Sequence, residues 1–143
     1  MTDDRSGSRV TDALSSRSLN QKREYVRDLA LRDDEQALSS LTECLCDESG
    51  YLRDLAEAEF SRLGDRGARA VLPLLDSGLW FTRSSAARIL GRMGYRPAVP
   101  GLLKLFGDAN SLVSEVARAS LIAIARHGAA ARLPHPLHRL ATD

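Results

Sequence analysis

Apolar positions along residues 80–108 fall into two blocks with helical spacing. In WFTRSSAARILGRMG, residues 80–94, Ala86, Ile89, Leu90 and Met93 stand at i, i+3, i+4 and i+7, one face of an α-helix. Gly94 ends the block, as a left-handed C-cap requires. In RPAVPGLLKLFGD, residues 96–108, Val99, Leu102, Leu103 and Phe106 repeat the spacing. Pro97 sits near the first turn, where a missing N–H does no harm. Two amphipathic helices joined by a tight turn predict an αα-hairpin.

The pattern recurs on both sides. Residues 52–64 place Leu52, Leu55, Ala56, Phe60 and Leu63 on one face and close at Gly64, with a partner helix at 67–76. Residues 113–128 align Val113, Val116, Ala117, Leu121 and Ile124 and close at Gly128, with a partner at 132–143. An earlier unit pairs Tyr25, Val26, Leu29 and Ala30 with Leu38, Leu41 and Leu45. Gly64, Gly94 and Gly128 are 30 and 34 residues apart, and Asp47, Asp76, Asp108 and Asp143 are 29, 32 and 35 apart. A single hairpin cannot bury both its faces, whereas stacked hairpins share one core. The expectation is an all-α, right-handed solenoid of about four hairpins over 20–143. A polar N-terminal tail at 1–19 is expected to be disordered. The last helix sets Leu133, Leu137 and Leu140 against Arg132, His135 and Arg139. That polar outer face is what a terminal repeat needs.

LRDLAEAEFSRLG and TRSSAARILGRMG, each followed by a short AVLPLLD- or AVPGLLKLFGD-type helix, resemble HEAT-like repeats. The spacing near 30 is similar to the short subtype named after phycobilisome lyases. The resemblance implies the fold. It leaves function open, because the family serves scaffolding, regulation, bilin attachment and DNA repair. It also implies a ladder between repeats, pairing Asp47 with Arg53 and Asp76 with Arg83, and broken in unit four, where Glu115 stands in the Arg place.

Composition narrows the picture. In a chain of 143 residues with 43% hydrophobic and 27% charged residues, one domain is expected. The two cysteines, Cys44 and Cys46, sit two apart on a helix and point apart, so reduced thiols and a cytoplasmic setting are expected. No apolar run is long enough to span a membrane. Charge is uneven beneath the net +1. Residues 1–76 carry 11 Lys/Arg against 16 Asp/Glu, while 77–143 carry nine against Asp108, Glu115 and Asp143. Balances of −5 and +6 bear on partners rather than on fold.

Candidate chemistry is thin. His135 and His138 stand at i, i+3, but no further ligand lies nearby, so no metal and no cofactor are expected. Asp33, Asp34 and Glu35 open a predicted helix, where capping accounts for them. No nucleophile–base pair or phosphate loop is visible, and the expectation is a chain that is not an enzyme. Trp80 and Phe81 are adjacent at a helix start, so one ring is expected between repeats and the other at the surface, as an aromatic anchor.

In such solenoids the second helices line a concave surface. Here it would carry Arg69, Lys104, Arg132, His135 and Arg139, beside Ser39, Ser40 and Glu43 from unit one. The expected function is a protein-interaction adaptor with an acidic protein partner, or self-association of acidic and basic halves. Nucleic acid on the basic half and a bilin-lyase-like role are the alternatives. A pI of 7.9 and few aromatics argue against nucleic acid.

Overall fold

The structure is a computed structural model that describes residues 18–32 and 34–132, the side chains of 130–132 excepted. Seven α-helices and no strand occur among these residues. They are α1 (Leu19–Leu31), α2 (Glu35–Cys44), α3 (Gly50–Phe60), α4 (Gly64–Val71), α5 (Trp80–Arg92), α6 (Val99–Lys104) and α7 (Ser111–Arg132). Three hairpins follow in order: α1–α2, α3–α4 and α5–α6. The first helices α1, α3, α5 and α7 pack on one another in succession, with the second helices behind them. One core runs through the stack, from Val26 and Leu29 to Val113, Ala117 and Ile124. The expected second helix of unit four lies outside the described residues. So does the expected tail, apart from Ser18 and Leu19.

Local chemistry starts the helices where it should. Ser18 caps α1 in a capping box with Gln21. Asp34 caps α2, its carboxylate accepting the Ala37 N–H at 2.7 Å. That bond holds the Asp34 carboxyl below its ordinary value. Ser49 caps α3 through the Leu52 N–H. Gly64 and Gly94 adopt φ +67 and +64, the left-handed conformation expected of them.

Three expectations are corrected. First, the second arm of the α5–α6 hairpin buries Ala98, Leu102 and Leu105, while Leu103 and Phe106 are 52% and 41% exposed. The hairpin's second arm is α-helical only over Val99–Lys104 and runs as 3₁₀ turn at Arg96–Ala98 and Leu105–Gly107. A 3₁₀ turn repeats every three residues, so the buried face shifts from i+4 to i+3 spacing. The same tightening follows Pro73, where α4 gives way to a 3₁₀ turn at Leu72–Asp76.

Second, Gly128 does not end a helix. α7 continues to Arg132 through three alanines, good helix formers. The glycine instead makes room for Arg96, whose Nη1 would lie 2.6 Å from a Cβ there.

Third, the ladder is built differently. Arg53 donates to the backbone carbonyl of Asp47 at 2.7 Å, not to its carboxylate. Arg83 donates to the Ser77 carbonyl in the same way, at 2.8 Å. Asp47, Ser77 and Asp108 each accept the N–H two residues on, so these three mark the repeat register. Asp76 is exposed and one place out of register. Arg83 reaches forward, with Nε and Nη2 at 2.8 and 3.0 Å from the two oxygens of Asp108. In that register Ser114, not Glu115, stands at the Arg position of unit four.

Candidate interaction surface

Helix α5 lies between α3 and α7, and its two flanks are built by opposite means. Toward α3 the contact is polar. Glu57 on α3 is 3% exposed although charged. Arg88 Nη1 on α5 stands 2.8 and 2.9 Å from its two oxygens, and Ser85 Oγ donates to Oε2 at 3.1 Å. Arg88 Nη2 also donates to Ser84 Oγ at 3.0 Å. A carboxylate is tolerated in such an interior when its lone pairs are filled in this way. Arg92, one turn on, stands 4.0 Å from the same carboxylate with its side chain half exposed.

The N-terminal end of the same flank is aromatic. Trp80 and Phe81 meet edge to face, centroids 5.7 Å apart at 78°. The Arg53 guanidinium lies over the Phe81 ring at 4.4 Å, a cation–π contact between repeats. Phe81 is half-buried and Trp80 is 42% exposed.

Toward α7 the contact is close and small. Ser120 Oγ donates to the Ala87 carbonyl at 2.6 Å. A Cβ on Gly91 would lie 2.6 Å from Ser120 Cβ and 2.7 Å from its Cα. Only glycine admits this approach. Beside it runs a furrow of about 220 Å³ floored by Gly91, Val116, Ala119, Ser120 and Ala123 and edged by Arg88 and Arg92. A cleft of about 350 Å³ with Asp54, Glu57, Arg88 and Arg92 lies on the other side of Arg88. A smaller one, of about 140 Å³, brings Trp80 and Phe81 beside Leu112. Arg88 borders all three.

Two of the cations assigned from sequence, Arg69 and Lys104, lie elsewhere. Arg69 is exposed on α4 and pairs at 3.3 Å with the equally exposed Asp65. Lys104 is exposed at the end of α6. Neither lines any of these clefts. Arg132's side chain, His135 and Arg139 lie outside what is described, as does His138. No group of three or more His, Cys, Asp or Glu is arranged for a metal among the described residues. Cys44 is buried, and desolvation pushes its thiol up to about 12. Burial raises Cys46 as well, against a hydrogen bond from Thr82. No described helix is long and apolar enough to cross a membrane.

Sequence reasoning missed Glu57 and Arg88. Glu57, set between Ala56 and Ala58 with Glu59 beyond, reads as solvated. The signal was there: the two stand 31 residues apart, one repeat, which puts them on facing flanks of neighbouring first helices.

Residues 82–108 match the family model described as PBS lyase HEAT-like repeat. No curated protein sequence matches the chain. Among solved structures the fold is similar to human deoxyhypusine hydroxylase in complex with glycerol, with TM-score 0.55 and 17% identity. That likeness covers 78% of this chain and 44% of the hydroxylase chain, so this chain spans under half the length of its structural relative. The expectation of a chain that is not an enzyme is overturned here. Stacked hairpins of this kind form a hydroxylase, so the fold gives no ground for excluding catalysis. The matched segment lies within the α5–α6 hairpin, so that hairpin matches a HEAT-like repeat, and the structural likeness extends the helical-repeat fold to most of the chain.

Proposed function

We propose that this chain binds another protein, through the surface that α5 presents between α3 and α7. The observation that carries the reading is Trp80. It is a large ring, 42% exposed, held edge-on by Phe81, which Arg53 holds in turn. Rigid, partly exposed Trp beside Arg is the composition of binding hot spots, because little side-chain entropy is lost on docking. Stacked repeats add to it by offering one continuous face to a partner. The two free thiols fit a cytoplasmic setting. The second-helix cations Arg69 and Lys104, continued by Arg132, His135 and Arg139, are the competing surface and serve as the comparison.

The test is affinity capture with nuclease-treated lysate, comparing wild type, Trp80→Ala and Arg69→Glu/Lys104→Glu. Loss of a retained protein with Trp80→Ala alone supports the α5 surface. Loss with the double variant alone moves binding to the second helices. Material that disappears with nuclease contradicts a protein partner.

A further inference from the structure

Resting on the protein-binding reading, we infer that the α5–α7 furrow takes an acidic, amphipathic helical segment of the partner. The furrow's shape comes first. Its floor is made of small groups, Gly91, Val116, Ala119 and Ala123, so a ridge of side chains from a third helix can sink between α5 and α7. The floor is apolar and favours a ligand with an apolar stripe.

The rim supplies the charge. Arg88 and Arg92 stand at i, i+4 on one edge. Arg88 is committed to Glu57 and Ser84. Arg92 is not held in this way. Its guanidinium lies 4.0 Å from Glu57 and its side chain is 53% exposed, leaving donors for a second carboxylate. The surroundings agree. Residues 77–129 hold seven Lys/Arg against Asp108 and Glu115, and Asp108 is already bound to Arg83. Such a field draws an anionic segment toward the furrow. Glutamates beside the apolar stripe of a docked helix would meet Arg92. Nucleic acid fits less well, because the furrow floor has no aromatic ring for a base to stack on.

Two synthetic helical peptides test this. Both carry leucine at i and i+4; one has glutamate at the flanking positions and the other lysine. Each is titrated into the full ¹⁵N-labelled chain up to roughly millimolar concentration. The acidic peptide is expected to shift amides at 88–92 and 116–123. Arg92→Glu, a substitution of a half-exposed side chain, should weaken it by about tenfold, whereas Lys104→Glu should leave it within about twofold. Equal binding of the lysine peptide, or no shift with the acidic one, overturns the furrow assignment. Shifts confined to 65–72 and 99–106 also overturn it, but leave protein binding standing. An oligouridine that binds the same amides more tightly than the acidic peptide overturns both readings.

Discussion

The two flanks of α5 solve the same problem in opposite ways. The flank toward α3 keeps a charge in the interface and satisfies it with Arg88 and Ser85. The flank toward α7 uses small residues, so that Gly91 and Ser120 bring the helices together. A polar joint depends on partners one repeat away. A close-packed joint depends on volume. The first tolerates changes of size and fails on loss of a partner, while the second does the reverse.

Substitutions can break or sharpen that contrast. Gly91→Val should have the largest effect, because its Cβ alone would lie 2.6 Å from Ser120 Cβ and 2.7 Å from Ser120 Cα, atoms that no side-chain rotation moves aside. Overpacking of this kind costs about 3 kcal/mol, read as a lowered midpoint in urea unfolding. If stability is unchanged, the close approach is not what joins α5 to α7. Glu57→Gln keeps the volume of the α3 flank and removes its charge. With Arg88 partly in water, the expected loss is about 2 kcal/mol. Pairing Glu57→Gln with Arg88→Met should recover part of it in a double-mutant cycle.

The Arg83–Asp108 clamp comes next, at about 1–2 kcal/mol for Asp108→Asn. It also sets a pH dependence. The Arg83 guanidinium holds the Asp108 carboxyl below its ordinary 3.8, against the opposing effect of burial. The folded chain therefore takes up this proton less readily than the unfolded one. The clamp's contribution is complete above the ordinary carboxylate value and fades as pH falls through the lowered one. The gap between wild type and Asp108→Asn should close in acid. A gap that does not narrow as the pH falls below the ordinary carboxylate value would refute the clamp. Trp80→Ala should have the smallest effect on folding, under about 0.5 kcal/mol, since the ring is largely at the surface. Its effect should appear in binding instead.

The helical hairpins were legible because the first helices keep a strict 3.6-residue rhythm. Ala86, Ile89 and Leu90, and likewise Val113 and Ala117, are all buried as their spacing requires. The register of α6 was not, since 3₁₀ turns at both its ends change the period, and Pro97 and Pro100 give no sign of by how much. Gly128 misled for a related reason. Glycine marks a helix end only when the chain needs φ above zero there, and at Gly128 the need was space for Arg96. The surface around α5 was legible only at Trp80 and Phe81, two large rings side by side. Glu57, Arg88 and the Arg83–Asp108 clamp depend on contacts 31 and 25 residues apart, which no local pattern encodes. Of the second-helix cations, Arg69 and Lys104 are exposed. Exposure alone does not gather them into a site.

The central claim is that the binding surface lies along α5 rather than along the second helices. Hydrogen–deuterium exchange of the chain with its captured partner tests it most directly. Slowed exchange at 80–92 and 112–123, with 65–72 and 99–106 unchanged, is the predicted footprint. Protection confined to 65–72 and 99–106 would contradict the claim.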